Sequence, residues 1–252
     1  MGYELREYSF GETIGKGFNL YFNNLPPLFP IALLCQIPSV LLINWQPVAV
    51  KPEWGKLAIF FLLNTFCQSF LSAGIIYLVS RKFLKERELS FNQNMGSILS
   101  LIMPLIMLSI LVGIKVGVAS LLLLIPGIVV SLGYSVASNV LVIERKSVTK
   151  SMKRSWDLTK GDKGRIFLLL LVGVIIVACI QQPLVYVIRK ILPTGKLTVY
   201  LNLIVSAIFQ PIQSCILVVI YFNLRIKKEG FDIEHLIQQF SLVGERDRSV
   251  EG

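Results

Sequence analysis

The stretch SVTKSMKRSWDLTKGDKGR, Ser147 to Arg165, decides how this chain is read, because it is basic and amphipathic and lies between two long apolar runs. Val148, Met152, Trp156 and Thr159 recur at helical spacing on one side, while Lys150, Lys153, Arg154 and Asp157 fall on the other. A helix with that pattern lies in the headgroup layer of a membrane, apolar residues down and cations toward anionic lipid. Lys150, Lys153, Arg154, Trp156 and Lys160 are therefore the candidate lipid-contacting residues.

Composition supports a membrane setting. Of 252 residues, 54% are hydrophobic and only 16% charged, where a soluble domain carries about a quarter charged residues. Mean hydropathy is +0.68. The net charge of +10 would suit nucleic acid, but the cations cluster at the ends of apolar runs, where they orient spans, so no nucleic-acid partner is expected. The expected fold is an all-α integral membrane protein with six transmembrane helices, at about 25–44, 57–80, 97–124, 127–143, 166–190 and 197–224. Residues 1–240 form one domain and 241–252 a solvated tail. No signal peptide is expected, because the first 24 residues lack a central apolar stretch.

Three amphipathic interfacial helices lead into these spans, starting near Ser9, Ser90 and Ser147. Ser9 with Glu12 and Ser90 with Gln93 have capping-box spacing. Each lead-in followed by a span and a return span makes three possible hairpin units, and Tyr77-x-x-x-Arg81 and Tyr221-x-x-x-Arg225 close the first and third alike. The turn between the third and fourth spans is expected at Pro126-Gly127, the alternative being a turn near Lys115 with Pro126 as a kink. With an even number of spans, 19 Lys and Arg residues fall on the terminal side and five on the other, with Lys115 between them, which puts both termini in the cytoplasm.

Four local strings resemble one family: FNLYFNNLPPLFPIALL at 18–34, LLIPGIVVSLGYSVASNVLVIE at 123–144, SMKRSWDLTKG at 151–161 and YFNLRIKKEGFDIEHL at 221–236. Together they look like the integral membrane domain of bacterial glycerophosphodiester phosphodiesterases, which also occurs as a stand-alone protein. The resemblance implies a bacterial cytoplasmic membrane protein. The family's chemistry belongs to a separate soluble barrel rich in His, Glu and Asp, whereas this chain holds one histidine, His235, so no catalytic residue carries over. Asn223 stands where the resemblance implies an acid, which would loosen pairing with nearby cations.

Two polar stripes cross the apolar background: Asn64, Gln68 and Ser72 on the second span, and Asn202, Ser206, Gln210 and Gln213 on the sixth. Interhelical hydrogen bonding is the expected role, and a path for a polar headgroup or ion the alternative. Gln181, Gln182 and Pro183 mark either a kink or a discontinuous helix. Lys115 is the one cation inside an apolar run, expected to snorkel toward a membrane surface. Cys35, Cys67, Cys179 and Cys215 read as small buried hydrophobes, without metal spacing or a disulfide framework. No cofactor or metal is expected. The functional expectation is a non-enzymatic membrane scaffold or accessory factor contacting anionic lipids, with an unidentified membrane protein as a possible further partner. The alternative is a transporter or flippase-like carrier of a lipid headgroup or small solute.

Overall fold

The structure, a computed structural model, describes residues 7–40, 54–83, 91–192 and 195–230. The expected Trp45 loop, the cap at Ser90, the helix around Asp232 to Phe240 and the tail at 241–252 lie outside the described residues. Every regular element among those described is helical: α1 (Phe10–Asn23), α2 (Leu25–Leu34), α3 (Trp54–Phe83), α4 (Phe91–Leu122), α5 (Leu124–Gly133), α6 (Ala137–Glu144), α7 (Val148–Thr159), α8 (Lys163–Ile191) and α9 (Lys196–Glu229). Among the described residues, five segments are long and apolar enough to cross a membrane: Leu63–Arg81, Ile98–Leu122, Leu124–Glu144, Lys163–Ile191 and Lys196–Glu229. The expected first span is a shorter apolar helix over Leu25–Val40, interrupted at Cys35–Gln36. Pro38 accounts for the interruption, because it has no amide to donate to the Leu34 carbonyl and its ring crowds that carbonyl.

Helix α1 begins as its sequence dictates. Ser9 accepts from the Glu12 amide while the Glu12 carboxylate accepts from the Ser9 amide, a complete capping box. Asn24 ends the helix by folding its carboxamide back onto the Leu20 carbonyl at 2.7 Å, and the prolines after it fall in the first turn of α2, where an amide donor is not needed. The second lead-in segment is not separate, since α4 runs without a break from Phe91 to Leu122.

The turn between the third and fourth spans lies at Leu123, whose extended backbone (φ −161°, ψ 147°) separates α4 from α5. This corrects the expectation of Pro126-Gly127. Pro126 instead occupies the first turn of α5, a position that tolerates the missing amide. Gly127 serves a different purpose, since a Cβ there would meet the Ser120 hydroxyl at 2.0 Å, so the two helices close tightly just past the turn. The tip is greasy: Leu121 to Ile125 are each at least 67% exposed.

The fourth span is also not one helix. It breaks at Tyr134–Val136 into α5 and α6. Gly133, the last residue of α5, leaves a carbonyl beyond the reach of its own helix. Helix α7 folds back antiparallel to α6 and supplies the missing donors: the Ser155 hydroxyl donates to the Gly133 carbonyl at 2.9 Å and that of Thr159 at 3.3 Å. Ser151, Ser155 and Thr159 form one fully buried stripe at four-residue spacing, and Trp156 lies over Gly133 so closely that a Cβ there would sit 2.3 Å from the indole.

Burial sorts the long segments into inner and outer. Half of the apolar window in α3 and in α5–α6 is buried, and 44% in α9, against 22% in α4 and 11% in α8. The inner helices α3, α6 and α9 pack on one another. Helix α1 lies on α9, where a Cβ at Gly17 would meet Ile216 at 2.6 Å. Helix α4 lies on α3 and helix α7 on α6.

Because the Gly133 contact leaves no room for a methyl group, Gly133→Ala should destabilise the detergent-solubilised protein by about 1–3 kcal/mol. Gly164→Ala, in open space on α8, should be neutral or stabilising by up to about 1 kcal/mol. Thermal unfolding of the two variants side by side checks the contrast.

Candidate functional site

Two polar regions stand out, one at an end of the bundle and one inside it. At the end, Glu144 closes α6 and gathers groups from three elements. Tyr221 donates its hydroxyl to the carboxylate at 2.9 Å, Arg154 approaches at 3.2 Å, and Lys146 pairs with it from the same turn. Arg154 also pairs with Glu229, which accepts from Arg225 at 3.4 Å. Burial opposes the Arg154 charge, but hydrogen bonds and charge from Glu229 and Glu144 outweigh it and raise the guanidinium above its ordinary value. Asp162 pairs with Lys227 at 2.6 Å, so the loop after α7 is tied to the same end of α9.

Asn223 does something its sequence context did not suggest. Its carboxamide grips the backbone of Tyr8 from both sides, Oδ1 accepting from the amide at 3.0 Å and Nδ2 donating to the carbonyl at 3.2 Å. Arg165 donates to the same carbonyl at 2.6 Å. The side-chain amide thus donates and accepts toward the backbone of one residue, which an ionised carboxylate, an acceptor only, could not do. The Tyr-Arg pairs of α3 and α9 match in detail. Arg81 donates to Tyr77 at 3.1 Å and Arg225 to Tyr221 at 3.3 Å, and the guanidinium carbons stand 5.7 and 5.8 Å from the rings.

The five candidate lipid contacts separate under this geometry. Lys150, Lys153 and Lys160 are exposed and make no ion pair among the described residues. Arg154 is engaged by two carboxylates. Trp156 packs inward, 5.4 Å from the Tyr134 ring, with the Lys163 ammonium 3.5 Å from its own ring.

Inside the bundle the two stripes meet at one point. Gln210 donates to Gln68 at 2.6 Å and accepts from Gln36 at 3.1 Å, giving a chain Gln36–Gln210–Gln68 that joins α9 to α3 and to the interruption after α2. Gln36 was not among the expected residues, because the interruption before Pro38 sets its side chain toward α9. On either side of this seam lies a polar cleft. One, about 310 Å³, runs between α8 and α9 and is lined by Gln181, Gln182, Ser206, Gln210 and Gln213 with four apolar neighbours. The other, about 340 Å³, is formed by α3, α4 and α6 and lined by Asn64, Thr65, Gln68, Ser69, Ser72, Ser109 and Ser138 around Leu105. Oxygens of Ser69, Asn202 and Gln213 are buried without a hydrogen-bond partner among the described residues. Helix α8 stays continuous through Gln181–Pro183, so the alternative of a discontinuous helix is not met there. Lys115 donates to the Tyr134 hydroxyl at 3.4 Å and stands 5.3 Å from that ring.

The sulfur of Cys35 donates to the Cys67 carbonyl at 3.0 Å, and all four cysteines are free. Among the described residues no three His, Cys, Asp or Glu side chains converge on a common metal position.

Fold and site together define a protein whose described residues are helical, with five candidate membrane-spanning segments among them, an ionic knot at one end and a glutamine seam between two polar clefts. Comparison with protein-family models, curated proteins and solved structures returns no match.

Replacing Asn223 by Asp removes the donor toward the Tyr8 carbonyl and sets a carboxylate against it. Asn223→Asp should cost about 1–3 kcal/mol and release the segment before α1, read as faster amide exchange at Tyr8 and Ser9.

Proposed function

We propose that this protein is a non-enzymatic, multi-span protein of the bacterial cytoplasmic membrane that docks anionic lipid through the exposed lysines of α7. The observation that carries the reading is the division of labour on that helix. Arg154 and Trp156 hold α7 to the bundle, and Lys150, Lys153 and Lys160 are left facing outward. A basic surface anchored at the end of apolar helices gains about 1 kcal/mol per lysine from an anionic leaflet. The six-span threading, with both termini cytoplasmic, rests on the cation bias and treats Leu25–Val40 as the start of the first span. The three-unit arrangement is supported by the matching Tyr-Arg pairs of α3 and α9. The family resemblance of the four strings belongs to the same reading, with the phosphodiesterase chemistry left to a domain of different composition.

Substituting Lys150, Lys153 and Lys160 by Gln, with Arg154 intact, should weaken association with anionic liposomes by about 1 kcal/mol per charge removed. Thermal stability should not change. Unaltered binding to phosphatidylglycerol vesicles would end the lipid-docking role.

A second reading, a carrier of a lipid headgroup or small solute, is favoured by one observation: the Gln36–Gln210–Gln68 seam separates two polar clefts rather than sealing one apolar interface. Cysteine placed at Ser72 and at Gln182 should then react with a water-soluble thiol reagent from opposite sides of the membrane. Protection at both positions would count against transport.

A further inference from the structure

The cleft between α3, α4 and α6 has a chemistry of its own. Seven of its eight lining residues are polar: two carboxamides and five hydroxyl-bearing side chains, with no charged group among them. Counting 1.5 Å per residue along α3 from Tyr77, its Ser72-to-Asn64 wall lies roughly 8 to 20 Å in from the ionic end. In the proposed membrane setting that is hydrocarbon depth. Acyl chains are poor neighbours for such a wall, since each polar group left without a partner there costs free energy.

Ser69 marks the direction of the missing partner. It is only 4% exposed, lines the cleft, and its hydroxyl has no hydrogen-bond partner among the described residues. Helical Ser commonly bonds back to a carbonyl in its own helix; this one does not. A cluster able both to donate and to accept, but carrying no charge, matches ligands with the same property. Hydroxyl-rich neutral molecules fit, whereas phosphate or carboxylate would enter without a counter-charge. At about 340 Å³ the cleft is at the small end of ligand sites, the scale of one sugar ring.

We propose that the cleft of Asn64, Gln68, Ser69, Ser72, Ser109 and Ser138 is a binding site for an uncharged, hydroxyl-rich group of hexose size. The group is either the sugar of a neutral glycolipid or a free polyol. The proposal deepens the carrier reading by giving that site a ligand class, and it requires occupancy only, not movement.

The test uses the full chain in phosphatidylcholine nanodiscs. One arm adds monoglucosyl diacylglycerol and the other adds free sorbitol, with bound ligand counted by native mass spectrometry. Saturable binding in the first arm alone identifies a lipid headgroup as the source, and in the second a free solute. Ser69→Ala should weaken binding about tenfold while leaving thermal stability equal or higher, because it deletes a hydroxyl that bonds nothing in the protein. Ser109→Leu, at the exposed rim of the cleft, should abolish binding. Absence of saturable binding to either probe, or equal binding by wild type and both variants, would overturn the site. Thiol-reagent access reports on the carrier reading separately, so each proposal fails on its own result.

Discussion

A carbonyl at the end of a broken helix governs how this molecule is put together. A buried backbone group left without a partner is costly in any protein interior, so the chain must bring a donor to it. The break after Gly133 exposes such a carbonyl, and Ser155 and Thr159 answer it from α7. That demand explains why a short, strongly basic helix folds back against α6 instead of lying apart from the bundle. It also explains the residue types: only glycine at 133 lets α7 approach, and small hydroxyl side chains at 151, 155 and 159 bring donors without bulk.

With α7 seated, the charges follow. Arg154 is carried to Glu144 and Glu229, Asp162 to Lys227 and Arg165 to the Tyr8 carbonyl, so one end of the bundle becomes a continuous polar knot. Asn223 ties the N-terminal segment into it. The inner helices α3, α6 and α9 then share what polarity the interior holds, and α4 and α8 present aliphatic side chains outward. Gln36, Gln68 and Gln210 satisfy each other across three elements, which is how uncharged polar groups persist among apolar neighbours. Two of the oxygens left without a partner, at Ser69 and Gln213, fall in the clefts beside that chain.

Much of this was legible in the residues, and the boundary of what was legible is physical. Apolar length and cation clustering locate the five long helices, and the Ser9–Glu12 spacing announces its capping box, because these signals are local. The turn at Leu123 was not legible. Pro-Gly is the stronger turn signal in isolation, but Pro126 is equally at home in a first helical turn, and the packing of Gly127 on Ser120 settles which applies. Equally hidden was the division of α7, since Arg154 and Lys153 look alike until a carboxylate from α9 arrives beside one of them. The partners of Gln210, one of them in a helix interruption some 170 residues away, are set by tertiary packing alone. A stripe of small hydroxyl residues at 151, 155 and 159 was a usable signal for the α7 contact; nothing comparable flagged Asn223.

The central claim is that hydrocarbon surrounds the outer helices, with the ionic knot at one membrane face. It is tested most directly on α8, which joins the knot to the Arg189–Lys190 end. In a variant with the four native cysteines replaced, single cysteines at Lys153 and at Lys190 would be labelled in sealed, oriented vesicles with a membrane-impermeant maleimide. The account predicts that the two positions are labelled from opposite faces. Labelling of both from the same face would contradict it.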